Sequence, residues 1–90
     1  MYIRVSKPLA AINISSNDII KDMTDAVTYD ITHRCAISSA QIVSGPHFSL
    51  DRKYVFFLFR ISEGDPSGII NALNRAFLKH KISGTYSIVQ

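Results

Sequence analysis

Few residues in this chain could do chemistry, and their spacing argues against catalysis. There are three histidines and one cysteine. His33 and Cys35 stand two apart, while His47 and His80 belong to other segments. Zinc needs three or four converging ligands, and no motif of that spacing is present, so no metal is expected. Cys35 falls at the C-terminal end of an expected helix, where the dipole has the wrong sign to stabilise a thiolate. It reads as a buried structural thiol. Serines are abundant, but none stands in a strand-turn-helix nucleophile motif. Gly64-Asp65-Pro66-Ser67-Gly68 precedes a helix start, where free amides could hold an anion. It lacks the lysine and glycine spacing of a phosphate loop, and Asp65 would repel phosphate, so it reads as a capped turn. Lys79-His80-Lys81 and His33 suit the ends of their helices, and His47 in a Gly-Pro loop reads as solvated. No catalytic residue and no cofactor is expected. The residues point to a binding module and not to an enzyme.

Composition sets the frame for that module. The 90 residues are 47% apolar and 19% charged, which suits one globular domain over 1–90. The longest unbroken apolar run is Tyr54-Val55-Phe56-Phe57-Leu58-Phe59, far short of the roughly twenty residues a membrane helix needs. A single cysteine rules out an internal disulfide framework. With no secretory leader read at the start, a cytoplasmic location is expected. Ten basic residues against seven acidic ones give +3. That permits a nucleic acid or an acidic protein as partner without demanding either.

The elements that must position the binding residues follow from periodicity. Residues 1–6 alternate, with Ile3 and Val5 on one side and Tyr2 and Arg4 on the other. Lys7-Pro8 is expected to interrupt this strand. Residues 9–15 read either as a second strand or as a loop. Ser16-Asn17-Asp18 opens a helix. Ile20, Met23, Val27 and Ile31 form its apolar stripe, with Asp18, Asp22, Asp25 and Asp30 mostly elsewhere, over about 17 residues ending near Arg34. Residues 36–44 read as a strand, and Ser44-Gly45-Pro46 as a turn. Residues 53–61 form the strongest strand, apolar on both faces and therefore central. Asp65-Pro66 caps a second helix with Ile69, Ile70, Leu73, Ala76, Phe77 and His80 on one stripe. After a turn at Ser83-Gly84, residues 85–89 form the last strand. The order βαββαβ predicts an α+β, ferredoxin-like domain, a four-stranded antiparallel sheet with two helices on one face.

Such a sheet leaves one face open to a partner. Strand parity puts Arg52, Tyr54, Phe56, Leu58 and Arg60 on that face of the third strand, and Tyr2 and Arg4 on that face of the first. The expected surface carries three aromatics, Tyr2, Tyr54 and Phe56, framed by Arg4, Arg52 and Arg60.

This pattern resembles the RNA-recognition-motif family. In Arg52-Lys53-Tyr54-Val55-Phe56-Phe57-Leu58-Phe59, the basic residue and the aromatics Tyr54, Phe56 and Phe59 match that family's eight-residue motif. Tyr2 in Met1-Tyr2-Ile3-Arg4-Val5-Ser6 matches the aromatic of its six-residue motif. The resemblance implies that the exposed aromatics stack on the bases of a single strand. A second resemblance, to the ACT family of small regulatory domains, rests on the element order, the aromatic third strand, Gly64, the helix containing Ile70-Asn71-Ala72-Leu73-Asn74, and Gly84-Thr85-Tyr86. It implies sensing of a small ligand such as an amino acid. A third reading buries the same face against protein. The chain would then be a small regulator or inhibitor, of the kind common among mobile elements, that forms a homodimer or docks on a larger complex.

Overall fold

A computed structural model describes residues 1–89. The chain forms strands β1 (Tyr2–Pro8), β2 (Ala40–Phe48), β3 (Tyr54–Ile61) and β4 (Thr85–Val89), with helices α1 (Ile19–Tyr29) and α2 (Pro66–His80) between them. The sheet is antiparallel throughout, in the order β2-β3-β1-β4. This is the ferredoxin-like arrangement, with β1 and β3 as central neighbours.

One parity of each strand faces the helices. Ile3 and Val5 of β1, and Val55, Phe57, Phe59 and Ile61 of β3, join Met23, Val27 and Ile31 from the first helical segment and Ile69, Leu73 and Ala76 from α2 in one buried cluster. Ile20, assigned by spacing to the same stripe, stays 58% exposed beside Ile19 and Phe48. Tyr86 packs its ring against Phe77 and donates its hydroxyl to Asn74, which ties β4 to α2.

The caps explain where the helices start. Asp18 accepts from the Lys21 amide, and Asp65 accepts from the Gly68 amide with Pro66 in the first turn. Asp22 reaches back to the amides of Ser15 and Ser16 and to the Ser16 hydroxyl, which holds the loop before α1. Those three hydrogen bonds, the Ser16 pair foremost, keep its carboxyl below the usual range. Beyond Tyr29 the helix continues as a π-helical turn, Asp30–Arg34, closed by the Cys35 amide on the Asp30 carbonyl.

Two expectations are corrected and one open alternative is resolved. Lys7-Pro8 does not interrupt β1, which runs through Pro8 opposite Tyr54. The Leu9 amide bonds to Lys53 on the β3 side, so Pro8, one residue earlier, points its missing N–H the other way. On that side β4 has already ended opposite Ser6, and no ladder bond is lost. Of the two readings of residues 9–15, the loop holds, opened by a 3₁₀ turn at Leu9–Ala11. Gly45-Pro46 is not a turn. β2 continues through it to Phe48, with register shifts between Ile42 and Ser44 and between Ser44 and His47. Pro46 is tolerated because β2 is an edge strand. Gly45 has φ of 122°, and a Cβ there would lie 2.8 Å from the Phe56 carbonyl oxygen. The actual hairpin turn spans residues 49–53, where Ser49 and Asp51 side chains accept from the amides of Lys53 and Tyr54.

Candidate functional site

The face of the sheet away from the helices carries the other parity. The pairing of β1 with β3 sets its rows: Tyr2 opposite Arg60, Arg4 opposite Leu58, Ser6 opposite Phe56 and Pro8 opposite Tyr54. β2 adds Gln41 beside Arg60, Ser44 beside Leu58 and His47 beside Phe56. β4 adds Thr85, Ser87 and Val89 beside Ser6, Arg4 and Tyr2. Tyr2 and Tyr54 are each 43% exposed. Arg4 and Arg60 are exposed, and Phe56 and Leu58 are half-buried between their neighbours.

Five of the six expected site residues therefore share this face, but they do not form one cluster. Tyr54 and Phe56 are successive on the same side of β3, about 7 Å apart along the strand. Tyr2 sits at the other end, paired with Arg60, about 13 Å along the sheet from the Phe56 row. Arg4 and Leu58 lie between. The aromatic pair and the single tyrosine bracket the face instead of meeting on it. Arg60 is held in place by donating to the Gln41 side chain at 3.1 Å.

Arg52 is the correction. Parity put it on the open face, but β3 begins only at Tyr54, and Arg52 lies in the hairpin turn with φ of 55°. Its guanidinium stacks over the Phe48 ring, 5.6 Å from the centroid. Phe48 pairs with Val55, a core residue, so this arginine serves the helix side of the sheet.

Sequence reasoning missed His47. The two irregularities in β2 return it to the open face beside Phe56, where its Nε2 lies 2.6 Å from the Ser44 hydroxyl. A strand drawn to stop at Ser44 could not have placed it there. Sequence reasoning also missed a buried ion pair. Lys7 and Asp30 are both buried on the helix side, with Lys7 Nζ donating to Asp30 at 2.5 Å. Arg34 reaches the other carboxylate oxygen at 3.3 Å. It is a structural feature, walled off from the open face by the sheet.

The remaining chemical residues are dispersed. Cys35 is buried, and burial, reinforced by the charge of Asp30, pushes its thiol up to about 11. His33 stacks on Tyr29 at the end of the first helical segment, 4.7 Å between centroids. Among the described residues, no group of three or more His, Cys, Asp or Glu side chains converges. No described helix is long and apolar enough to cross a membrane. Against known protein families, curated proteins and solved structures, this chain finds no match.

Charge is sorted across the fold. All seven acidic residues lie outside the strands. Asp18, Asp22, Asp25 and Asp30 belong to the first helical segment and its cap, Asp51 to the hairpin turn, and Glu63 and Asp65 to the loop before α2. Among the described residues, the open face presents aromatic, aliphatic, hydroxyl and amide groups, two arginines and a histidine, and no Asp or Glu. Such a surface can stack flat rings, neutralise phosphates and donate hydrogen bonds.

Proposed function

We propose that this chain is a non-enzymatic binding module that holds single-stranded nucleic acid, RNA in particular, on the open face of its sheet. The observation that carries this reading is that Tyr2, Tyr54 and Phe56 share one face with Arg4 and Arg60, a face on which no Asp or Glu lies among the described residues. A polyanion meets no acidic side chain among the described residues of that face. The Tyr54–Phe56 pair offers successive bases a stacking surface that does not depend on their identity. From Tyr54 to Tyr2 the face runs about 20 Å along the strands, room for a short stretch of nucleotides. Arg52 stands outside this platform and contributes at most from the hairpin end.

The test is fluorescence anisotropy with a labelled oligouridine octamer. Base stacking contributes about 1–3 kcal/mol per base, so Tyr54→Ala with Phe56→Ala removes about 2–6 kcal/mol, a loss of at least 30-fold. Neither ring is fully buried, so the double variant retains the native circular dichroism spectrum. Unchanged affinity in that folded variant refutes the reading.

A second reading has one observation in its favour. Leu58, an aliphatic side chain, occupies the middle of the same face, opposite Arg4. A protein surface, including a second copy of the chain, would cover it. Light scattering with absorbance at 260 and 280 nm separates the two. A dimer free of nucleic acid favours the protein interface, and a monomer that carries nucleic acid until salt strips it favours the platform.

A further inference from the structure

We infer that the cleft between Arg4, His47 and Phe56 is a base pocket that selects guanine from a single strand. This rests on the nucleic-acid reading of the open face and specifies which base one part of that face takes.

The cleft has a volume of about 290 Å³ and is lined by those three residues. They come from three adjacent strands, β1, β2 and β3. Phe56 forms its floor, with His47 directly opposite on one side and Ser6 on the other. Ser6 is small, so it leaves space above the ring. Arg4, the next residue of β1 on this face, is the diagonal neighbour of Phe56, within reach of a long side chain. The hydrogen bond between His47 Nε2 and the Ser44 hydroxyl fixes the imidazole as a wall. At the lower end of the roughly 300–1,000 Å³ that small-molecule pockets occupy, the space suits one base and not a larger ligand.

The polar chemistry of the pocket is one-sided. The guanidinium of Arg4 offers five donors and no acceptor. None of the ion pairs among the described residues occupies it. Guanine presents two acceptors, N7 and O6, side by side on one edge, and they match the planar fork of arginine. Adenine and cytosine each put an amino donor on the corresponding edge, which would face another donor. A uracil-like edge presents only one acceptor, O4. With Phe56 stacked on the ring and Arg4 turned to that edge, guanine pairs both prongs of the fork, while the same edge of the other bases leaves at least one donor unpaired.

The experiment compares two labelled RNAs at the same salt concentration by fluorescence anisotropy. One is an oligouridine octamer and the other is the same octamer with one central guanine. The native chain is expected to bind the guanine octamer on the order of 10-fold more tightly, in line with one bidentate contact. Arg4→Lys keeps the charge but loses the fork, so the ratio between the two RNAs falls to near one. Arg60→Lys changes an arginine outside the cleft and keeps the ratio. Equal binding of both RNAs by the native chain overturns the pocket while leaving the platform standing. A ratio that survives Arg4→Lys, or that Arg60→Lys abolishes as fully, also overturns it. If the native chain binds neither RNA, the platform reading fails, and the pocket fails with it.

Discussion

Lys7→Met tests the interior of this fold most sharply. Lys7 and Asp30 lie 23 residues apart in sequence and meet under the sheet, their side chains retaining 9% and 5% of their accessible surface. Methionine keeps the length of the lysine stem and removes the charge, leaving Asp30 buried with one partner fewer. Breaking a buried pair in this way typically costs about 3–5 kcal/mol. Arg34 remains on the second carboxylate oxygen at 3.3 Å, but its own side chain is 40% exposed and partly hydrated. The loss therefore falls near the lower end, about 3 kcal/mol. A domain of this size is stable by roughly 5–13 kcal/mol, so that is a large share of the total. Tm is expected to drop by about 12–24 °C, at roughly 4–8 °C per kcal/mol. Urea unfolding followed by circular dichroism gives the free energy directly. Adding Asp30→Leu should restore most of it, because a well-packed apolar pair replaces a buried ionic one at little net cost. The coupling between the two sites is then about 2 kcal/mol or more. A loss below about 1 kcal/mol for Lys7→Met, typical of an exposed pair, would refute the claim that this interaction is dry and structural.

Three further perturbations check other parts of the account. Gly84 has φ of 121°, and a Cβ there would come within 2.0 Å of the Ser6 carbonyl oxygen. Gly84→Ala should cost at least about 2 kcal/mol and detach β4 from β1. In the same denaturation assay, Gly68→Ala should be neutral or gain up to about 1 kcal/mol, because its Cβ meets nothing closer than 3.7 Å. Cys35 should resist a thiol reagent at pH 8 in the folded chain and react fully once unfolded. Its ionisation lies at about 11 in the fold against 9.0 for a free thiol, so above pH 9 the unfolded state loses its proton first. This contribution to stability is complete below pH 9 and is lost as pH rises towards 11. Rapid labelling of the folded protein at pH 8 would contradict that burial.

The element order was legible because each segment repeats its own period. Ile3 and Val5 alternate, Met23, Val27 and Ile31 recur every four residues, and Asp65-Pro66 marks a helix start. What the sequence hid was register and irregularity. Parity says which face Tyr2 and Phe56 share, but only the pairing of strands distant in sequence says that Tyr2 meets Arg60 and not Phe56. Gly45-Pro46 has the chemistry of a turn, yet an edge strand absorbs both residues, and this moves the hairpin to 49–53 and carries His47 onto the open face. The same shift takes Arg52 out of the strand and spoils its parity. The Lys7–Asp30 pair leaves a trace in the sequence. Lys7 continues the inward parity of Ile3 and Val5, and Asp30 falls three residues after Val27 on the buried stripe. Two opposite charges, each on an inward face, are what a buried pair looks like in sequence.

The central claim is that the open face of the sheet, and not the helical layer, receives single-stranded nucleic acid. Titrating the isotope-labelled protein with an unlabelled single-stranded RNA octamer, and following backbone amide shifts by NMR, tests it most directly. The account predicts shifts concentrated at Tyr2, Arg4, Tyr54, Phe56, Leu58 and Arg60, with His47 among them, while residues of α1 and α2 hold still. Shifts confined to the helices, or no shifts at saturating RNA, would contradict it.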